Sequence, residues 1–130
     1  MRFRFLLDTH AFLWLHGAPE KVPAKLAKEL AHPSAELLLS VVSAQEIVVK
    51  HALGKLVLPG PPRQFVESRC AAAAIELLPL RPAHVWELAT LPLHHRDPFD
   101  RALIAQARAE GLTLVSADRA FAAYQVALRW

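Results

Sequence analysis

The chain has 130 residues, 54% of them hydrophobic and 21% charged, with a formal net charge of +3. This suits one domain, residues 1–130, built on one core. It excludes a disordered chain, and no apolar run approaches the ~20 residues of a membrane-crossing helix. A lone cysteine, Cys70, excludes an internal disulfide and reads as a small buried apolar residue in the run CAAAA; the basic residues are scattered, compatible with a polyanion but forming no nucleic-acid arm.

The opening MRFRFLLDTH has too short an apolar stretch for a signal peptide, and Asp8 interrupts it, so residues 2–7 are expected to form the first strand of a cytoplasmic protein. A helix over 11–16 follows, then one over 23–31 with Pro23 at its first position. ELLLSVV at 36–42 is apolar and bounded by turn residues, which predicts a central strand. Residues 43–53 form a helix stopped by Gly54, and LVLPGPP is a loop. A helix over 63–74, a strand over 75–80 and a helix over 82–91 containing Trp86 lead to the polar segment HHRD. The last third reads as a helix over 98–110 stopped by Gly111, a strand over 112–116, a short helix over 119–124 and a closing strand over 126–130. Strands alternating with helices predict an α/β fold with a mainly parallel sheet, helices on both faces, and ligands gathered beyond the carboxyl ends of the strands.

Acidic residues fall at that edge. Asp8 follows FRFLL, Glu46 lies in the first turn of the helix after ELLLSVV, and Asp118 follows LTLVSA. Asp97 and Asp100 flank Pro98 at a helix start, three residues apart and so on one side of the first turn. Ionised carboxylates packed together repel unless a cation offsets them. A site of oxygen ligands without cysteine or histidine points to Mg²⁺ or Mn²⁺, and such a site suits phosphodiester hydrolysis. A structural account stands beside this one. Asp8, Asp97 and Asp118 also suit N-caps, Ser43-Ala44-Gln45-Glu46 has the pattern of a capping box, and Glu46 and Lys50 are spaced for an i,i+4 pair.

These residues resemble the PIN domain, and specifically the VapC-type toxins of type II toxin–antitoxin pairs. The resemblance lies in FLLDTHAFLWL, in SVVSAQEIVVKHALGKLVL and above all in HHRDPFDRALIAQARAEGLTLVSADRAFAAYQV, and so spans nearly the whole chain. It implies an α/β/α three-layer sandwich. It also implies a metal-dependent endoribonuclease that cuts RNA and blocks translation, with catalytic and metal-binding acids at Asp8, Glu46, Asp100 and Asp118. Asp97 is an alternative or outer ligand. A cognate antitoxin and a homodimer are implied as well. Ser116 stands where the family often has threonine.

Other residues carry weaker expectations. Thr9 and Ser116 either orient a carboxylate or water or merely cap backbone. Arg101 either binds an RNA phosphate or pairs with nearby groups, the second being favoured. His10, His94 and His95 are expected mainly on the surface, and Lys50 and Lys55 on a solvated, weakly RNA-attracting face. Trp14 and Trp86 are expected in core or dimer packing. The apolar surface at Phe12, Leu13 and Trp14 is a possible antitoxin groove. The alternatives are a PIN-like module that binds RNA or protein without cutting, and a phosphotransfer protein. The second is disfavoured because Thr9 and His10, not a further acid, follow Asp8.

Overall fold

The computed structural model describes residues 3–94 and 97–130. Its centre is a five-stranded sheet of β1 (Phe3–Leu7), β2 (Ala35–Ser40), β3 (Ile75–Leu78), β4 (Thr113–Val115) and β5 (Leu128–Arg129), in the order β3-β2-β1-β4-β5. Every pairing is parallel. The expected α/β/α sandwich is therefore present, and its sheet is parallel throughout.

Side-chain alternation along the strands builds two apolar layers. Phe5, Leu7, Leu37, Leu39, Ile75 and Val115 face α1 (Thr9–Gly17), α2 (Ala24–Leu30) and α4 (Pro62–Ala72), where Phe12, Leu26 and Cys70 complete the cluster. Leu6, Leu38, Leu78 and Leu114 face the other way, towards Leu103 and Ile104 of α6 (Pro98–Glu110) and Leu91, just past α5 (Pro82–Leu88). The third helix, α3 (Val41–Ala52), serves both layers, sending Ile47 to the first and Val42 to the second. Cys70 is buried, as expected. Trp86 is not a core residue: it is 71% exposed on α5. Among the described residues, no helix is long and apolar enough to cross a membrane.

Several boundaries differ from the sequence expectation. The run ELLLSVV divides after Ser40, whose hydroxyl accepts a hydrogen bond from the Val42 N–H at 3.0 Å and turns the chain into α3. A short apolar run has no period long enough to separate strand from helix. Two consequences follow. Glu46 lies in the second turn of α3, not the first, and Ser43 is inside the helix, not its cap. The expected capping box is not formed, and the buried Ser43 hydroxyl has no hydrogen-bond partner. Pro23 is the N-cap position of α2, one place earlier than expected. The segment after Asp118 is a 3-10 turn (Arg119–Ala123), and another unexpected one spans Pro19–Lys21. Gly54 and Gly111 have φ of +70° and +66°, the left-handed conformation that lets a chain leave a helix without a Cβ clash.

A buried polar knot ties α5 to α6. His84 Nδ1 accepts the Arg81 N–H at 3.0 Å, which leaves Nε2 to donate to Glu110 Oε1 at 2.8 Å. The Gln106 amide nitrogen reaches Pro79 O at 3.3 Å beneath it. Replacing His84 with leucine leaves the Arg81 N–H without its acceptor and takes one partner from Glu110, which keeps its ion pair with Arg81, at a cost of about 1–3 kcal/mol. Urea unfolding of His84→Leu should show that loss as a lower midpoint with an unchanged slope; an unchanged midpoint would show that the knot adds nothing to stability.

Candidate active site

The carboxyl edge of the sheet is built by register. Leu7 of β1 pairs with Leu39 of β2 and with Val115 of β4, so the next residues along, Asp8, Ser40 and Ser116, emerge side by side. Asp8 is the N-cap of α1, and its Oδ1 accepts the Ala11 N–H at 2.7 Å. The residue is only 6% exposed. Burial raises its pKa above the usual aspartate value and the negative field of Glu46 adds to the rise, while hydrogen bonds from Ser116 and Ala11 and the nearby His10 act in the opposite sense. The Ser116 hydroxyl also accepts the Asp118 N–H at 3.0 Å, so one serine links the first acid to the backbone of the last.

Glu46 comes from α3 and is 5% exposed. Both of its oxygens are engaged. Thr9, at the start of α1, donates its hydroxyl to Oε1 at 2.6 Å, and the Lys50 ammonium stands 2.6 Å from Oε2. The bond to Glu46 raises the pKa of Lys50, and the fields of Asp97 and Asp100 add to it. Lys50 is thus paired with Glu46 and lies within the field of the acids at the amino end of α6.

At that end Asp97 is the N-cap, accepting the Phe99 N–H at 2.8 Å and the Asp100 N–H at 3.2 Å, with Pro98 in the first turn. Asp100 is half-buried in the same turn. Asp118 is exposed and caps the 3-10 turn after β4 through the Ala120 N–H at 2.9 Å. The cap geometry expected for Asp8, Asp97 and Asp118 is therefore present. A carboxylate has about four acceptor positions, of which a cap uses one or two.

The structure brings Asp8, Glu46, Thr9 and Ser116 into one buried group, with Lys50 paired to Glu46 and within the field of Asp97 and Asp100. Asp118 is joined to it through its backbone bond to Ser116. Among the described residues, no three histidine, cysteine, aspartate or glutamate side chains converge in a way that would hold a metal ion as they stand. Arg101 donates to Pro92 O at 2.8 Å and Tyr124 Oη at 3.3 Å. His10 is exposed beside Trp14, and His94 packs edge-on to Tyr124; His95 lies outside the described residues. Lys50, expected either on a solvated face or in an i,i+4 pair with Glu46, makes that pair while its side chain stays 40% exposed.

The family model of the PIN domain matches residues 5–127. The chain belongs to the PIN-domain family. PIN domains are in general nucleases, and solved structures share the fold of this chain. VapBC2 from Rickettsia felis, bound to a DNA fragment from its promoter, superposes with a TM-score of 0.76 at 13% identity, covering 98% of each chain. A toxin–antitoxin complex from Klebsiella pneumoniae gives a TM-score of 0.64 at 18% identity, covering 96% of this chain and 95% of the other. FitAcB from Neisseria gonorrhoeae gives 0.64 at 23% identity, covering 95% of each. No curated protein sequence matches the chain.

The raised pKa of Asp8 has a consequence for stability. A carboxylate whose folded pKa exceeds its unfolded value makes the native state bind more protons than the unfolded chain, so ionising it in the fold opposes stability. That penalty is full at neutral pH and is relieved as pH falls through the folded pKa. Asparagine caps a helix as well as aspartate does. The metal-free Asp8→Asn variant of this PIN domain should therefore melt a few degrees above the wild type at neutral pH, with the gap closing as pH falls towards the ordinary aspartate range. Calorimetric scans across pH check this, and a variant that melts lower at neutral pH refutes it.

Proposed function

We propose that this PIN domain is a Mg²⁺- or Mn²⁺-dependent endoribonuclease and the toxin of a type II toxin–antitoxin pair. In this reading Asp8, Glu46, Asp100 and Asp118 hold the metal, Asp97 stands by as an outer or alternative ligand, and RNA phosphodiesters are the substrate. The observation that carries it is the buried Glu46 carboxylate, held on one oxygen by Thr9 and balanced on the other by a cation, beside a second buried carboxylate, Asp8.

The residues fit a hard divalent ion by their chemistry. The donors are carboxylate oxygens, two of them on buried residues whose charges oppose each other, and a positive group already stands against one. When bound, the ion supplies Lewis acidity at the phosphate and a water of lowered pKa. The chain's own part is orientation. Thr9 fixes the rotation of Glu46, Ser116 fixes Asp8, and the helix caps fix Asp97 and Asp118. Side chains locked by such outer bonds lose little freedom on binding an ion. Arg101, bonded to Pro92 and Tyr124, braces the segment before α6 in this scheme. An antitoxin partner belongs to the same proposal, supported by the toxin–antitoxin complexes among the structures of similar fold, and a homodimer is proposed with it from the family resemblance.

A second reading, a PIN domain that binds without cutting, draws on the engagement of both Glu46 oxygens. RNA cleavage separates the two. The nuclease reading expects cutting in Mg²⁺ or Mn²⁺, none in EDTA, and a loss of at least about a hundredfold in Asp8→Asn or Asp100→Asn with the circular dichroism spectrum kept. Equal cutting by variant and wild type removes the metal assignment, and no cutting by the wild type favours the binding module. Thr9→Val, which frees Glu46 Oε1, should reduce cleavage about 10–100-fold without unfolding the protein; an unchanged rate would end its orienting role.

A further inference from the structure

We infer that Lys50 is a built-in stand-in for the divalent cation, holding Glu46 in its ligating position while the ion is absent and withdrawing from Oε2 when the ion enters. This rests on the metal-site reading above and adds to it a residue that sets the affinity of the site.

The geometry gives the two partners unequal freedom. The Lys50 side chain is 40% exposed and that of Glu46 only 6%, so the ammonium has a way out to water and the carboxylate has none. Glu46 Oε1 is fastened independently by Thr9 at 2.6 Å, so the carboxylate keeps its place when Oε2 is released. Lys50 sits one turn along the same helix, and its flexible four-carbon stem lets the ammonium swing aside while the backbone stays still. Its contact with Glu46 is unlike an ordinary exposed i,i+4 pair. Arg63 and Glu67 of α4 form such a pair, with side chains 88% and 57% exposed, and a pair of that kind adds little. Glu46 is instead a buried charge that would be left without a counter-ion.

An ammonium and a divalent ion cannot share one carboxylate oxygen without strong mutual repulsion, so each binds at the other's expense. The lysine is tethered and thus present at high effective concentration, which lowers the apparent affinity for the metal. It gives in return a folded, ordered site in the metal-free protein. The same positive charge also lies within the field of Asp97 and Asp100, the acids that the ion must reach from α6.

The test is Mn²⁺ binding to the full chain by isothermal titration calorimetry, with thermal melting of the same samples. Lys50→Met should bind Mn²⁺ about tenfold tighter or more, because the tethered competitor is gone. Without metal it should melt below the wild type, and saturating Mn²⁺ should narrow that gap. Lys55→Met, an equal loss of charge at an exposed site, should change the affinity less than about twofold. If Lys50→Met does not fold, Lys50→Gln, which keeps a neutral donor for Glu46, is held to the same expectation. Wild-type binding of Mn²⁺ with equal or weaker binding by the Lys50 variant overturns this inference and leaves the metal site standing. Failure of the wild type to bind Mn²⁺ overturns both.

Discussion

Two carboxylates buried within reach of each other's charge, Asp8 and Glu46, are the constraint around which the carboxyl edge of the sheet is arranged. Moving an ionised carboxylate out of water is costly, and placing a second one nearby adds repulsion. Each surrounding contact works against one of those terms. Ala11 N–H and Ser116 donate to Asp8, Thr9 donates to Glu46, and Lys50 supplies the positive charge. Asp8 is nevertheless under-compensated, since burial still outweighs its hydrogen bonds. Such an arrangement opposes stability in the metal-free fold, and it is the feature on which the proposed cation site draws.

The parallel sheet explains why acids from such distant points in the sequence meet. A parallel strand starts again from the same end after each crossover, so the residues after β1, β2 and β4 emerge on one side. The strands behind them are short and filled with leucine, and both faces are covered, so the register Leu7–Leu39–Val115 has little freedom to slip. Precision at the edge is thus inherited from apolar packing below it. The knot of His84, Glu110 and Gln106 plays a comparable part on the far layer, holding α5 against the carboxyl end of the helix whose amino end carries Asp97 and Asp100.

The alternation of strands and helices was legible because apolar runs and glycine stops punctuate the chain, and α6 was recovered from Pro98 to Glu110 with Gly111 past its end. The boundary between β2 and α3 was not, because Val41 and Val42 are β-branched and apolar and suit either element; only the Ser40 hydroxyl, a local hydrogen bond, decides it. That shift moved Glu46 by a fraction of a turn and made Ser43 an interior residue. The acids were legible from their places after strands. Their surroundings were not: the bond from Thr9 to Glu46 spans 37 positions, and no local pattern encodes it. Lys50 was legible only as a spacing. Whether an i,i+4 pair matters depends on the burial of its partner, which is a tertiary property.

The structural role of these acids as helix caps does not exclude the chemical role proposed for them. A cap locks a short side chain at the mouth of a helix, where Asp or Asn in place of alanine is worth about 0.5–2 kcal/mol. The same position places that carboxylate at the positive end of the helix dipole. Asp8 lies at the mouth of α1 and Asp97 at the mouth of α6, so both helices direct partial positive charge towards the edge where negative charge accumulates. Helix termini and Lys50 offset part of the charge of the acids without a bound ion. They differ in kind, because a dipole is fixed in the backbone whereas a lysine can move. The fixed part keeps the acids in place at all times, and the movable part is the one that an incoming cation can replace.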